Sequence, residues 1–212
     1  MKPAAGGLCT PPPNETCAGA TPIIELQLPL VVNGVYGCTT DTIPNPDMPY
    51  FDVFYRYDCT CTGEYTLAMC GSTADAALRV YVDGCGFILG DEIATADDEC
   101  FGSPPSADPL LDIVLENGRS YWFELGTWRP TPPWAPSTPN APMVFTMSAC
   151  RPCGSGDVNR DGVVDGRDVP SFIAALTGSD NTPSTQCPAD MTGDGTVSAD
   201  DVGPFVARLL QA

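Results

Sequence analysis

Two aspartate-rich segments near the C-terminus have residue types and spacing that suit a divalent cation. Residues 157–168 and 190–201 align at an offset of 33 residues, and nine of the 21 positions from 157 to 177 are identical to their counterparts. Calcium takes six to eight oxygen ligands, and a twelve-residue loop supplies them from positions 1, 3, 5, 7, 9 and 12. Gly162 and Gly195 occupy position 6, where such a loop turns sharply. The pattern predicts two Ca²⁺ ions, one in each loop.

The predicted ligands follow from those positions. In loop 1 (residues 157–168) they are Asp157, Asn159, Asp161, the carbonyl of Val163, Asp165 and Asp168. In loop 2 (residues 190–201) they are Asp190, Thr192, Asp194, the carbonyl of Thr196, Ser198 and Asp201. Loop 1 offers four carboxylates and loop 2 three, so we expect loop 2 to bind calcium more weakly. Val164 and Val197, at position 8, are expected to pair the loops back to back.

Each loop is followed by apolar residues at helical spacing, which predicts two short helices. The matched residues are Val169, Phe172, Ala174 and Leu176 against Val202, Phe205, Ala207 and Leu209. Residues 153–212 resemble a type I dockerin, in which an Asp at position 12 replaces the Glu of an EF-hand and the entering helix is missing. The resemblance implies calcium binding and a cohesin partner contacted through the helices. Dockerin specificity often depends on Ser or Thr at positions 10 and 11. These positions here are Gly166-Arg167 and Ala199-Asp200, so the calcium role carries over residue by residue and the cohesin partner does not.

Short apolar or alternating segments recur between turn residues from Ile23 to Cys150, as in an all-β sandwich. We therefore predict a mainly β protein: an antiparallel, jelly-roll-like β-sandwich followed by a small α-helical calcium-binding domain. The predicted strands are Ile23–Leu28, Leu30–Tyr36, Phe51–Tyr57, Tyr65–Cys70, Leu78–Val82, Leu110–Leu115, Tyr121–Leu125 and Met143–Ser148. Asn117-Gly118 predicts a type I′ hairpin that pairs Leu111–Leu115 with Tyr121–Leu125.

Two segments interrupt the strand pattern. Asp91–Glu99 is predicted to be an acidic loop, and whether it binds a further ion is left open by the sequence. Residues 128–142 are proline-rich and carry Trp128 and Trp134. They form either a variable surface loop or a contact element that uses the two tryptophans.

The predicted domains are a Pro/Gly-rich lead (1–20), a disulfide-rich β-sandwich (21–150) and the dockerin-like domain (151–212). The β domain is similar to the Cys-rich sandwich of secreted planctomycete-type dockerin proteins. The similarity is carried by four motifs: Asn14–Ala18, Phe51–Arg56, Cys70–Ser72 and Asp97–Cys100. It implies an extracellular, non-catalytic adhesive module.

Eleven cysteines with no histidine favour disulfide bonds over a zinc site or a reduced cytosolic protein. We predict a secreted or cell-surface protein. Local pairs are expected, namely Cys61–Cys70, Cys85–Cys100 and Cys153–Cys187. The odd count leaves one thiol free or bonded to another chain.

Composition excludes several functions. A net charge of −18 argues against nucleic-acid and membrane-surface partners. The chain has no apolar run long enough to span a membrane, and the absence of histidine removes Ser-His-Asp and Cys-His catalysis. A two-carboxylate glycosidase needs only Asp and Glu, but a sandwich of this size rarely hosts such a cleft, so we predict that the protein is not an enzyme. The candidate acids are Glu25, Glu64, Glu92, Glu116 and Glu124.

Two binding functions remain. In the first, the protein is a structural subunit of an extracellular filament or surface layer and associates with itself, with the lead joining the sheet edge of a neighbour. In the second, the β domain is an adhesion or carbohydrate-binding module that a cohesin recruits through the dockerin-like domain, and its exposed aromatic residues bind glycan. Neither hypothesis involves nucleic acid or membrane insertion.

Overall fold

The computed structural model describes residues 11–35, 50–72, 75–84, 92–100, 108–127 and 142–211. Within these ranges the protein is mainly β, and its α-helices lie towards the C-terminus. The strands are β1 (Thr21–Ile23), β2 (Leu30–Val35), β3 (Tyr50–Asp58), β4 (Gly63–Ala68), β5 (Ala76–Val82), β6 (Glu92–Ala96), β7 (Leu110–Leu115), β8 (Ser120–Thr127), β9 (Pro142–Met147) and β10 (Arg151–Pro152). The α-helices are α1 (Val169–Leu176), α2 (Pro183–Ala189) and α3 (Ala199–Leu209).

The first sheet has the strand order β1-β3-β8-β5-β6. β8 is its centre, antiparallel to both β3 and β5, while β1 runs parallel to β3. Apolar residues on alternate positions meet across these strands, for example Phe123 opposite Tyr55 and Leu125 opposite Leu78. This alternation gives the sheet one continuous apolar face.

The second sheet contains β2, β4, β7, β9 and β10. β2 and β9 are antiparallel, with Val32 opposite Phe145. The ring of Phe145 lies 5.8 Å from that of Tyr55 and 6.0 Å from that of Phe123. Phe145 and Phe123 are fully buried, so the apolar faces of β3, β8 and β9 form a sandwich core.

The chain divides into two compact units. Unit 1 comprises residues 1–58, 68–111 and 120–147, and unit 2 comprises residues 59–67, 112–119 and 148–212. Unit 2 therefore combines most of β4 and β7 with the loops and helices of the C-terminal segment. In unit 2, β4 pairs with β7 and is antiparallel to β10.

Most predicted strands are confirmed within one or two residues, but three local predictions are wrong. Ile23–Leu28 is not one strand, because β1 ends at Ile23 and Glu25–Gln27 forms a 3-10 helix. The acidic segment Asp91–Glu99 contains a strand, β6, which pairs with β5 at the edge of the first sheet. Its sequence is polar because an edge strand exposes one long side to water.

The predicted hairpin is also wrong. β7 pairs with β4, whereas β8 pairs with β3 and β5, so the two strands that flank Asn117-Gly118 belong to different sheets. Only Gly118 has a positive φ, at 85°, and a type I′ turn needs positive φ at both central residues. The Asn-Gly signal therefore marks a turn between sheets.

Of the three predicted disulfides, Cys153–Cys187 is confirmed and the other two are wrong. The structure contains Cys61–Cys150 and Cys70–Cys100 instead. Cys61 and Cys70 flank the extended strand β4, and six residues of strand span about 20 Å, too far for a disulfide. Cys85, like the tryptophan loop 128–141, lies outside the described residues, but Cys100 is already bonded to Cys70.

Candidate functional site

The backbone of loop 1 folds around the carboxylates of the loop and donates hydrogen bonds to them. Asp157 accepts hydrogen bonds from the backbone of Asp161 (3.1 Å) and Gly162 (3.0 Å), one on each carboxylate oxygen. Asp161 accepts one from Val163 N at 3.0 Å. The loop therefore closes from position 1 to position 6, with the carboxylates on its inner side.

Loop 2 repeats this arrangement. Asp190 accepts hydrogen bonds from Asp194 N (3.2 Å) and Gly195 N (2.8 Å), and Asp194 accepts one from Thr196 N at 2.9 Å. The residue pairs are the same as in loop 1, displaced by 33 residues. Two segments with modest sequence identity thus have one hydrogen-bonding frame.

The Asp at position 12 closes each loop from its far end. Asp168 accepts hydrogen bonds from Asn159 N (3.0 Å) and Asp165 N (2.8 Å). Asp201 accepts the equivalent bonds from Thr192 N (2.9 Å) and Ser198 N (2.7 Å). These four bonds fix positions 3 and 9 of each loop relative to position 12.

Both position-12 side chains are buried, with no exposed surface. Burial opposes ionisation of Asp201, but the hydrogen bonds from Ser198 and Thr192 more than offset it and lower its pKa. Asp201 is therefore held as a carboxylate, which is the form that binds a metal ion.

The sharp turns occur at positions 4 and 6 of each loop. Gly162 and Gly195 have φ values of +86° and +88°, in the left-handed region that glycine adopts without strain. At position 4, Gly193 has a φ of +73°, but its counterpart in loop 1 is Arg160 with a φ of +64°. A long side chain in this conformation is uncommon, and its contacts explain why it is held there.

Arg160 joins loop 1 to the strands of unit 2. Its guanidinium forms an ion pair with Glu64 on β4 and lies 3.7 Å from Asp112 on β7, and its Nε donates to the carbonyl of Ser184 at 3.3 Å. Glu64 is only 2% exposed, so the ion pair is largely removed from water. We did not predict this contact from the sequence, because a basic residue at loop position 4 carries no signal of its distant partner.

The two helical repeats pack through their aromatic residues. The rings of Phe172 (α1) and Phe205 (α3) are parallel, 3.9 Å apart, and both are buried. Val197 of loop 2 packs against this cluster. The core of the repeat is small, so the loops have to supply much of its order.

The helix starts are coupled to the loops. α3 begins with a capping box, in which Ser198 accepts from Asp200 N and Asp201 reaches back to Ser198 N.

α1 has Pro170 in its first turn, where a proline costs no hydrogen bond. α2 was not predicted, although Thr182-Pro183 at its start is a recognisable helix-start signal.

The donor set fits calcium. The predicted ligands are carboxylates, one amide, hydroxyls and backbone carbonyls, all oxygen donors that a hard cation prefers. The matched hydrogen bonds place the loops in one conformation and leave carboxylate lone pairs on the inner side. The same residues would hold one ion in each loop.

Residues 155–209 match the family model of the dockerin type I domain. This segment is a dockerin type I domain. Dockerin type I domains bind calcium and mediate calcium-dependent assembly with a partner protein. The dockerin of this chain occupies the C-terminal part of unit 2.

No match was found among the curated proteins. Among solved structures, the chain is similar to the pre-peptidase C-terminal domain of a collagenase from Bacillus anthracis, with 9% identity and a TM-score of 0.36 over 61% of this chain and 92% of that one. It is also similar to PliG, a periplasmic inhibitor of g-type lysozyme from Aeromonas hydrophila, with 12% identity and a TM-score of 0.37 over 61% of this chain and 94% of that one. Scores this low support no argument about function.

Arg167, at position 11 of loop 1, contacts two predicted calcium ligands. Its guanidinium lies 2.8 Å from Asp165 and 3.1 Å from Asp161. The hydrogen bond from Arg167 lowers the pKa of Asp165. The equivalent residue of loop 2 is Asp200, of opposite charge. A cation among the ligands of one loop makes the two loops electrostatically unequal.

The glycosidase candidate acids are engaged in contacts within the fold. Glu25 accepts from the Tyr57 hydroxyl, Glu92 pairs with Arg79 and Glu116 with Arg119, while Glu64 is held by Arg160 as described above. These contacts use the carboxylates in the structure of the domain.

Glu124 lies in a buried polar cluster on the first sheet. It accepts a 2.6 Å hydrogen bond from Tyr81. The pKa of Glu124 is raised to about 8: burial is the largest cause and the charge of Asp52 also raises it, while the Tyr81 hydrogen bond and the charge of Arg79 lower it. Glu124 and Asp52 have no exposed surface, so both carboxyl groups are shielded from water.

Within the described ranges, no helix is long and apolar enough to cross a bilayer.

Proposed function

We propose that this protein is a secreted, non-enzymatic assembly protein whose dockerin type I domain binds two calcium ions through the twelve predicted ligands and then contacts a partner protein. The observation that carries this proposal is the shared hydrogen-bonding frame of the two loops. A metal-binding loop that fixes the start of a helix makes the helix surface depend on calcium.

Exposed apolar side chains on the dockerin helices support a protein partner. Ile173 on α1 is 51% exposed, and Val206 on α3 is 46% exposed. Leu210, just after α3, is 82% exposed. Amphipathic helices that leave such residues in water commonly dock them on another protein. A cohesin-like domain is the partner that a dockerin implies.

Self-association into a filament or surface layer is supported by a different surface. β2 pairs with β9, and no other strand of the described residues pairs with its second edge. Val31 on β2 is 60% exposed and Leu26, just before it, is 95% exposed. An open edge beside apolar side chains can pair with a second copy of the chain.

A secreted, non-catalytic role is supported by covalent structure and composition. The structure has disulfides in both compact units, which is typical of proteins outside the reducing cytosol. The chain has no histidine, and the buried acids described above are engaged in structural contacts. Glycan binding remains an alternative; its candidate residues, Trp128 and Trp134, lie outside the described residues.

Two surface variants separate the assembly modes. Val206→Asp places a charge on the helix face and should abolish capture by a type I cohesin in calcium, while leaving any self-association intact. Val31→Lys protects this edge of β2 and should abolish self-association without affecting cohesin capture. Each variant is the matched control for the other.

The readouts are sedimentation velocity and negative-stain electron microscopy, with calcium or with EGTA. Calcium-dependent polymers that Val31→Lys abolishes would support the filament proposal. A monomer at high concentration that cohesin captures in calcium would support the tethered module. A chain that neither polymerises nor binds cohesin in calcium would contradict the proposed function.

A further inference from the structure

Arg160 occupies position 4 of loop 1, between the predicted ligands Asn159 and Asp161. The backbone N–H of Asn159 donates to the carboxylate of Asp168 at 3.0 Å. The backbone N–H of Asp161 donates to that of Asp157 at 3.1 Å. The backbone on both sides of Arg160 is therefore fixed by two predicted calcium ligands. An ion held by those carboxylates would also fix the direction in which the Arg160 side chain leaves the loop.

The Arg160 side chain ends among acidic residues of β4 and β7. Its guanidinium forms an ion pair with Glu64 and lies 3.7 Å from Asp112. Oγ1 of Thr66 on β4 donates to Asp112 on β7 at 2.6 Å, so both strands contribute to this polar cluster. Glu64 is buried and the Arg160 side chain is 28% exposed. The contact is thus partly shielded from water, where opposite charges attract more strongly than at the surface.

Packing beside this ion pair is incomplete. A cavity of about 330 Å³ is lined by residues of β4, loop 1 and α2, among them Glu64, Asp157, Gly162 and Pro188. Atoms that line a cavity lose dispersion contacts across it. The contacts of Arg160 therefore contribute more to the connection between loop 1 and β4 at this place.

Loop 2 cannot make this connection from the same position. Its position 4 is Gly193, which has no side chain, although its φ of +73° is close to the +64° of Arg160. Glycine adopts this conformation without strain, whereas arginine rarely does. The less favourable residue thus stands in the loop where its side chain has a partner 96 positions away. At position 4 the two loops differ in a side-chain contact and not in backbone shape.

We propose that Arg160 couples calcium binding in loop 1, and not in loop 2, to the order of β4 and β7. This inference rests on the proposed binding of calcium by loop 1. The conformation of loop 1 that binds the ion is also the one that holds Arg160 against Glu64. Coupling of this kind is reciprocal: calcium stabilises β4 and β7, and the ion pair raises the calcium affinity of loop 1 by the same factor.

The test uses the full chain with Arg160→Met and Glu64→Gln together. One positive and one negative charge are removed at the same place, so the net charge beside loop 1 is unchanged and a weaker affinity reports the lost connection. The matched control is Arg119→Met with Glu116→Gln, which removes an exposed ion pair of unit 2 by the same substitutions.

Nuclear magnetic resonance titration with calcium measures the affinity of each loop separately through the backbone amides of Gly162 and Gly195. The Arg160→Met/Glu64→Gln variant should bind calcium in loop 1 about fivefold or more weakly than the parent chain, as expected for coupling between two sites. Its loop 2 should keep the affinity of the parent. The control variant should keep both affinities.

Hydrogen exchange with calcium or with EGTA measures the reciprocal effect. Calcium should raise the protection of β4 and β7 in the parent and in the control variant, and this increase should be lost in the Arg160→Met/Glu64→Gln variant while α3 still gains protection.

Three results would overturn the proposal. An unchanged loop 1 affinity in the Arg160→Met/Glu64→Gln variant would show that the ion pair is not coupled to calcium. Equal weakening of both loops would show that the change acts on the whole domain. A parent chain that binds no calcium in either loop would overturn both this proposal and the proposed function, whereas the first two results leave the proposed function intact.

Discussion

Replacing Arg160 by Met removes the charge that balances a buried carboxylate while it keeps most of the side-chain volume. Glu64 is 2% exposed, and burial raises its pKa while the charge of Arg160 opposes that rise. Breaking a buried ion pair by removal of one partner costs about 3–5 kcal/mol. The Arg160 side chain is 28% exposed, so we expect about 2–3 kcal/mol at pH 7.

A double-mutant cycle tests this magnitude. Glu64→Gln alone should cost less than Arg160→Met, about 1 kcal/mol, because Arg160 keeps Asp112 and water as partners. The double variant leaves no uncompensated charge, so it should recover about 1–2 kcal/mol of the summed cost. The assay is urea unfolding in saturating calcium, followed by hydrogen exchange of the peptides that contain α1 and α3. A coupling energy near zero would refute the argument that this pair attaches loop 1 to β4.

Three further predictions concern the loops and the buried acids. Asp157→Ala should weaken calcium binding to loop 1 by about tenfold or more, and Thr192→Ala should weaken binding to loop 2 by less. The reason is that only the carboxylate attracts the ion by its charge. Calorimetry measures both affinities. Arg167→Ala should strengthen calcium binding to loop 1 by up to about fivefold, because an exposed cation no longer competes for Asp161. The unfolding temperature should fall as pH rises from about 5 to about 8, and Glu124→Gln should make this fall smaller.

The sign of the Glu124 effect follows from its raised pKa. In the unfolded chain Glu124 loses its proton at its ordinary pKa, whereas in the fold it keeps the proton to about pH 8. Its contribution to stability is therefore complete below the unfolded pKa and is lost as pH rises through the folded pKa. The exposed Glu116→Gln serves as the control and should not change the slope.

Equal losses for Asp157→Ala and Thr192→Ala would contradict the role of charge in the loops. Weaker calcium binding by Arg167→Ala would show that the arginine supports the site instead of competing with the ion. An unchanged pH dependence in Glu124→Gln would show that another group titrates.

The sequence predicts the ligands of both loops from local spacing alone, and this ligand set stays a prediction. Repetition at an offset of 33 residues supplied independent support, and the structure adds the matched hydrogen bonds of Asp157 and Asp190. Strand positions in the β region were predictable for a similar reason, because alternation of apolar residues is a local property.

What was not predictable depends on contacts between distant segments. The partners of Cys61 and Cys70 are set by which strand ends meet, not by the number of residues between them. The pairing of β7 with β4 overrides the Asn117-Gly118 signal for the same reason. The ion pair of Arg160 with Glu64 joins residues 96 positions apart, and no pattern within loop 1 indicates it.

Hydrogen exchange with and without chelator tests the central claim, that calcium orders the dockerin domain. The two loops bring seven predicted carboxylate ligands together around a small core, and without a cation these charges repel one another. In EGTA, amides of α1, α3 and both loops should lose protection, while those of β3 and β8 in the sandwich should keep it. Unchanged protection of α1 and α3 after chelation would contradict the account.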